Sequence, residues 1–306
     1  MLLIGATGRN AGKTTFAREI IRLFKGKVPL VGAKVTTVRE RDGKCPRGGT
    51  GCGVCSSLEG AFCLSEETDA SGEKDTQRLL AGGVDRVFWL RVMESSLEEG
   101  ISRLLSSIPA EAMILCESNS LRHVLEPSLF LMVQHQAKSV PKESSARVQD
   151  RADQIVISTG DAFLFDFDRL GMYGPAWTLR RPATAILLAG GHSSRMGTDK
   201  ASLALAGGDT LLSRACERLR YEFEHIVVST NTPELHAVAG ATLVPDERPG
   251  LGPLAGVVAG LKASTTDVNF VMACDIPAPD FQLVRALLRV PGNPDAVLPR
   301  PRGGCA

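Results

Sequence analysis

At 306 residues the chain is long enough for two domains that each bury a core of their own. An apolar fraction of 43%, a charged fraction of 23% and a net charge of +1 are ordinary for a globular protein. They exclude a broad basic face for nucleic acid and an acidic tail, while leaving room for a local basic cleft that grips phosphates. The longest apolar runs, around Ile186–Ala189 and Leu129–Val133, are too short to span a bilayer, and no secretory signal precedes the strand-like Leu2–Ile4. Eight cysteines, four of them clustered, do not resemble an extracellular disulfide framework. The expectation is a cytoplasmic protein with reduced thiols and with no membrane or nucleic-acid partner.

Short β-like runs alternate with helical stretches throughout, the pattern of α/β folds with largely parallel sheets. In the first half, strands are expected near Leu2–Gly5, Val31–Val38, Arg86–Val92, Ala112–Cys116, Leu129–Val133 and Gln154–Ser158. Helices are expected after Gly12, over Asp75–Ala81 and over Leu97–Leu105, with Gly82 and Gly83 as a helix stop. In the second half, strands are expected at Ala185–Leu188, His225–Thr230, Thr242–Val244 and Phe270–Ala273, with helices at Leu211–Tyr221 and Pro253–Ala263. This divides the chain into a nucleotide-binding domain over 1–179, a basic, proline-marked linker at 180–183, and a second α/β domain over 184–306.

The run I-G-A-T-G-R-N-A-G-K-T-T, Ile4 to Thr15, follows a strand and opens a helix. Such a loop wraps phosphate oxygens with backbone N–H groups while a helix N-terminus points at them. Gly8, Gly12, Lys13, Thr14 and Thr15 are the candidate phosphate contacts. Lys13 would reach the terminal phosphates and the Thr14 hydroxyl would ligate Mg²⁺. The usual P-loop pattern wants glycine five residues before Gly12. Thr7 stands there instead, so Gly8 is expected to supply the positive φ. No guanine-reading Asn-Lys-x-Asp run is present, which leaves GTP versus ATP open on the residues alone. Glu117 follows the apolar run Met113–Cys116; it reads either as an acidic group holding Mg²⁺ through water or as an ordinary exposed loop carboxylate.

Cys45, Cys52, Cys55 and Cys63 fall within a glycine-rich insert, two of them as C-x-x-C. Four thiolates suit tetrahedral Zn²⁺ or an iron–sulfur cluster, and the spacing does not choose between them. Free thiols, or a redox pair at Cys52 and Cys55, are the alternative. Cys116, Cys216 and Cys274 sit in apolar or helical contexts and read as core residues.

A second glycine loop, L-A-G-G-H-S-S-R-M-G-T-D-K from Leu188 to Lys200, follows the strand Ala185–Leu188. It lies where α/β sheets bind ligands, at the carboxyl end of a strand. Gly190 and Gly191 leave the backbone open to a base and phosphates, and Arg195 and Lys200 place two cations for a triphosphate. His192 reads as a variable loop residue. Asn231, the run P-D-E-R-P-G-L-G-P-L-A-G-V from Pro245 to Val257, and C-D-I-P from Cys274 to Pro277 follow in order.

These four segments together resemble the molybdenum cofactor guanylyltransferases (MobA-like), with the related cytidylyltransferases as the nearest rival. The first half, through its glycine loop, the run D-T-Q-R-L-L-A-G-G-V from Asp75 and Glu117, resembles the GTP-binding accessory proteins of the same synthesis (MobB-like). The resemblance implies a P-loop NTPase-type domain followed by a Rossmann-like nucleotidyltransferase domain that stops short of the family's usual C-terminus. It implies GTP as substrate, molybdopterin or Mo-molybdopterin as acceptor, and molybdoenzyme apoproteins or their chaperones as partners. It places Leu188 under the base, Gly190, Gly191 and Lys200 on the nucleotide, and Asn231 and Asp246 on guanine or ribose. Asp275 would hold Mg²⁺ on the phosphates, with Arg195, Lys200 and Asp275 carrying the transfer. The alternative is a GTP- and metal-binding adapter without turnover.

Overall fold

The computed structural model describes residues 1–38, 58, 60–137, 143–189, 209–235, 238–248, 251–276, 279–292 and 294–300. The chain divides into two compact units, Met1–Asp168 with Gly174–Trp177, and Arg169–Tyr173 with Thr178–Ala306.

The first unit runs β1 (Leu2–Ala6), α1 (Lys13–Phe24), β2 (Leu30–Val38), β3 (Phe62–Glu67), α2 (Asp75–Gly82), β4 (Arg86–Met93), α3 (Leu97–Ser106), β5 (Met113–Glu117), β6 (Leu129–His135), α4 (Glu143–Ala146), β7 (Gln154–Ser158) and β8 (Phe163–Leu164). Its eight described strands form one sheet in the order β3-β4-β2-β5-β1-β6-β7-β8. The inner strands pair in parallel, as continuous apolar runs buried on both faces require. All five residues of β1 are buried.

The two outer strands are antiparallel, and the periodicity reading did not include either. β3 is only partly buried and β8 has two residues, so neither carries the apolar signal of an inner strand. α1 turns Phe16, Ala17, Ile20, Ile21 and Phe24 inward, and α2 ends where Gly83 takes φ of 103°. A hairpin of β9 (Leu170–Tyr173) and β10 (Ala176–Leu179) turns at Gly174, φ 54°.

The second unit runs β11 (Arg181–Leu188), α5 (Leu211–Leu219), β12 (Phe223–Ser229), β13 (Thr242–Val244), α6 (Pro253–Ala263), β14 (Asn269–Ala273) and α7 (Phe281–Leu288). Its four described strands are parallel in the order β13-β12-β11-β14. The expected linker at 180–183 is corrected here, because Arg181, Pro182 and Ala183 already belong to β11. A hydrogen-bonded ion-pair network anchors the strand's early start. Arg181 donates its N–H to the Glu222 carbonyl and its guanidinium to the Glu222 carboxylate, which Arg285 also grips. Register with β12 shifts between Arg181 and Thr184, around a proline that has no N–H to give.

α6 reaches its sheet through glycines. A Cβ on Gly260 would lie 2.3 Å from Ile186 Cγ2, so only a bare backbone fits against β11. Helix α7, absent from the sequence reading, starts where the Asp280 carboxylate accepts from the N–H groups of Gln282 and Leu283.

Candidate functional site

In the first unit the loop from Thr7 to Gly12 joins β1 to α1 at the carboxyl edge of the sheet. Asn119 fixes its entrance, accepting from the Ala6 N–H at 2.8 Å and donating to the Ala6 carbonyl at 2.9 Å. A Cβ on Gly5 would come within 2.9 Å of the same Asn119 oxygen, so this strand end needs glycine. The buried Ser145 hydroxyl donates to the Thr7 carbonyl, and the Thr7 N–H donates to Val133 of β6. Positive φ falls on Asn10 (55°) and Gly12 (91°) and not on Gly8, which corrects the expectation. Asparagine tolerates the left-handed region well enough to take the turn that Gly8 was expected to make.

Gly8, Gly12, Lys13, Thr14 and Thr15 line one cavity of about 800 Å³, together with Lys34, Asp75 and Glu117. Glu117 is the last residue of β5 and is 1% exposed, which removes its reading as an exposed loop carboxylate. No hydrogen bond of ordinary geometry reaches either of its carboxylate oxygens. Burial pushes its carboxyl above the usual glutamate range, against the opposing pull of Lys13, Lys34 and the nearby Thr14 hydroxyl. Asp75, at the start of α2, accepts from the Thr14 hydroxyl at 3.0 Å and pairs with the Lys34 ammonium. Burial alone would raise Asp75, but Lys34 and Thr14 outweigh it and hold the carboxyl below its ordinary value.

Sequence reasoning missed Lys34 and Asp75 as site residues. A lysine inside the otherwise uncharged β2 and an aspartate opening a helix were the available signals.

Cys63 lies on the edge strand β3, where its Sγ accepts from an Arg91 Nη at 3.0 Å. Cys45, Cys52 and Cys55 lie outside the described residues. Among the described residues no group of three or more His, Cys, Asp or Glu side chains could hold a metal ion.

In the second unit β11, β12 and β14 end level, with Leu188 in register with Ser229 and Ala273. Leu188, Asn231, Asp246 and Asp275 therefore all stand at one carboxyl edge. Asp246 is held on both oxygens: Ser229 Oγ donates to Oδ1 at 3.0 Å and Asn231 Nδ2 to Oδ2 at 2.9 Å. The Asp246 N–H returns to Asn231 Oδ1 at 2.9 Å. α6 closes on this group through Gly256, whose added Cβ would meet Ser229 Oγ at 2.7 Å and Leu188 Cδ2 at 3.2 Å. Asp275 is exposed just past β14. Gly190, Gly191, Arg195 and Lys200 fall outside the described residues. Ser229 and Gly256 were not anticipated, since nothing local marks a strand serine or a helix glycine as site-forming.

A parallel sheet that collects polar side chains beyond its strand ends is the layout of nucleotide-binding α/β domains. Residues 185–306 match the family described as "MobA-like NTP transferase domain". The chain is 42% identical over 94 residues to the "Probable molybdenum cofactor guanylyltransferase" of Peptoclostridium acidaminophilum, covering 31% of this chain and 42% of that protein. It is 40% identical over 118 residues to the protein of the same name from Chloroflexus aggregans, covering 38% and 57%. It is 39% identical over 102 residues to the "Molybdenum cofactor guanylyltransferase" of Syntrophotalea carbinolica, covering 33% and 48%. The chain thus spans about half the length of the curated relatives it matches. No described helix is long and apolar enough to cross a membrane.

Proposed function

We propose that the second unit is a guanylyltransferase domain that moves GMP from GTP to molybdopterin and releases pyrophosphate. The observation that carries this reading is the carboxyl-edge group Leu188, Asn231 and Asp246, inside the segment that matches the MobA-like family. Asp246 is oriented by Ser229 and Asn231, yet a carboxylate has about four acceptor positions, so it keeps capacity for the N1–H and N2–H of guanine. Leu188 offers an apolar surface under the base. Gly190, Gly191 and Lys200 would take the nucleotide. Arg195 and Lys200 would neutralise the charge that grows on the phosphates.

The exposed Asp275 carboxylate suits Mg²⁺, which commonly takes one or two carboxylates and completes its shell with water and substrate phosphate. When bound, that ion would screen the phosphates from the incoming nucleophile. A terminal phosphate oxygen of molybdopterin attacks the α-phosphorus of GTP, the new P–O bond forms, and the α–β bridge breaks with its electrons leaving on pyrophosphate. Alignment and charge neutralisation suffice, with no covalent enzyme intermediate.

The first unit reads as a MobB-like GTP-binding accessory domain. Its loop supports this, with Lys13 and Thr14 opening α1 into a cavity large enough for a nucleotide triphosphate. Thr14 and the buried Glu117 carboxylate have the hard-oxygen chemistry that would hold Mg²⁺, Glu117 through water. Zn²⁺ or an iron–sulfur cluster at Cys45, Cys52, Cys55 and Cys63 stays with this reading as an expectation, as do cytoplasmic location and molybdoenzyme partners.

The test is pyrophosphate release by the full chain with GTP, Mg²⁺ and molybdopterin, against a Lys200→Ala variant. Release well above that variant is expected. Equal rates would leave the adapter reading.

A further inference from the structure

We propose that Lys34 is a second phosphate-binding lysine that distinguishes a nucleoside triphosphate from a diphosphate, and that Asp75 holds it until nucleotide and cation arrive. The inference rests on the reading of the first unit as a nucleotide-binding domain. Lys34 sits on β2, in register with Glu117 on β5, and lines the same cavity as Lys13. Its side chain is 24% exposed, in a strand whose other residues are apolar or threonine. Placing an ammonium there costs desolvation that an aliphatic residue would avoid, so packing alone does not account for it.

Asp75 provides the second half of the argument. One of its oxygens takes the Thr14 hydroxyl and the other takes the Lys34 ammonium. Those two groups, one following Lys13 at the mouth of α1 and one across the cavity, are what a phosphate–cation pair would need. The Asp75 carboxylate thus occupies the anion position of a bound terminal phosphate. Binding becomes an exchange of anions. The phosphate takes Lys34, and Asp75, Thr14 and Glu117 would then be the oxygen groups available to hold a divalent cation. The lining supports a polyanionic ligand, since Arg9, Lys13, Lys34 and Arg78 outnumber Asp75 and Glu117. On this proposal a diphosphate, seated on the loop and Lys13, leaves the Lys34–Asp75 pair closed.

The experiment titrates the full chain with fluorescent GTP and GDP analogues, with and without Mg²⁺. Lys34→Met keeps most of the side-chain volume and removes the charge. It should weaken triphosphate binding on the order of tenfold to a hundredfold, the scale of one charged hydrogen bond, and leave diphosphate binding within about twofold. Lys34→Arg should restore most of the triphosphate affinity. Asp75→Asn should lose most of the gain in triphosphate affinity that Mg²⁺ gives. Equal weakening of both nucleotides in Lys34→Met, unchanged triphosphate affinity, or an Mg²⁺ gain preserved in Asp75→Asn would each overturn the proposal. If first-unit binding, followed by exchange protection of the loop before α1, is absent from the wild type and Lys13→Ala alike, the nucleotide-binding reading itself falls and takes the proposal with it.

Discussion

Replacing Glu117 by glutamine should stabilise the nucleotide-free first unit at neutral and alkaline pH. The Glu117 carboxylate is 1% exposed, and burial outweighs the pull of Lys13, Lys34 and the Thr14 hydroxyl on its ionised form. Burial raises its pKa above the ordinary 4.5, which sets the sign of the pH dependence. A carboxyl whose folded pKa lies above its unfolded one binds its proton more tightly when folded. Its favourable contribution is complete below about pH 4.5 and is lost as pH rises through the folded pKa. Glutamine has nearly the same shape and cannot ionise, so it removes that loss. It leaves a polar amide in place and recovers only the charge penalty, about 1–3 kcal/mol. For a unit of this size that is about 2–4 °C per kcal/mol in transition temperature.

Calorimetry of the full chain at pH 5 and pH 8 reads the effect, with hydrogen exchange in β1 and β5 assigning the transition to this unit. The gain should be large at pH 8 and small at pH 5. A Glu117→Gln protein that melts at or below the wild-type temperature at pH 8 would show that the carboxylate is ionised and well paired, contrary to its geometry.

Two further outcomes follow from the second unit. Gly256→Ala places a Cβ 2.7 Å from Ser229 Oγ and 3.4 Å from Asp246 Oδ1, and should cost about 1–3 kcal/mol in urea unfolding. It should also weaken GTP binding by that unit, whereas Val258→Ala on the exposed face of α6 should do neither. An unchanged GTP affinity would separate the Ser229–Asp246–Asn231 group from nucleotide recognition. Glu222→Ala removes the buried carboxylate that the Arg181 and Arg285 guanidiniums share, and a loss of about 3–5 kcal/mol is expected. A loss below about 1 kcal/mol in the same urea assay would show that this network does not anchor the start of β11.

The local pattern of the sequence was enough to find the inner strands and the crossover helices, because those elements write their burial into every residue. β1 is apolar throughout, and α1 repeats its apolar residues at helical spacing. The edge strands β3 and β8 and the helix α7 escaped the same reading. An edge strand is half exposed, and α7 owes its start to a single capping aspartate. Both glycine loops were visible as sequence, but the positive φ assigned to Gly8 belongs to Asn10 and Gly12, since the clamps at Ala6 and Thr7 set the course of the chain.

By itself the sequence indicated an α/β chain in two parts, a glycine-rich loop after the first strand of each, and candidate residues for a nucleotide site. Only the tertiary structure decided which of them act together. Glu117 became a buried carboxylate because β5 lies between β1 and β2. Lys34 met Asp75 across forty-one positions of chain, and Ser229, Asn231 and Asp246 joined where β12 and β13 end side by side. Periodicity records which face of an element is buried. It carries no record of strand order, and strand order brings distant polar side chains to one edge.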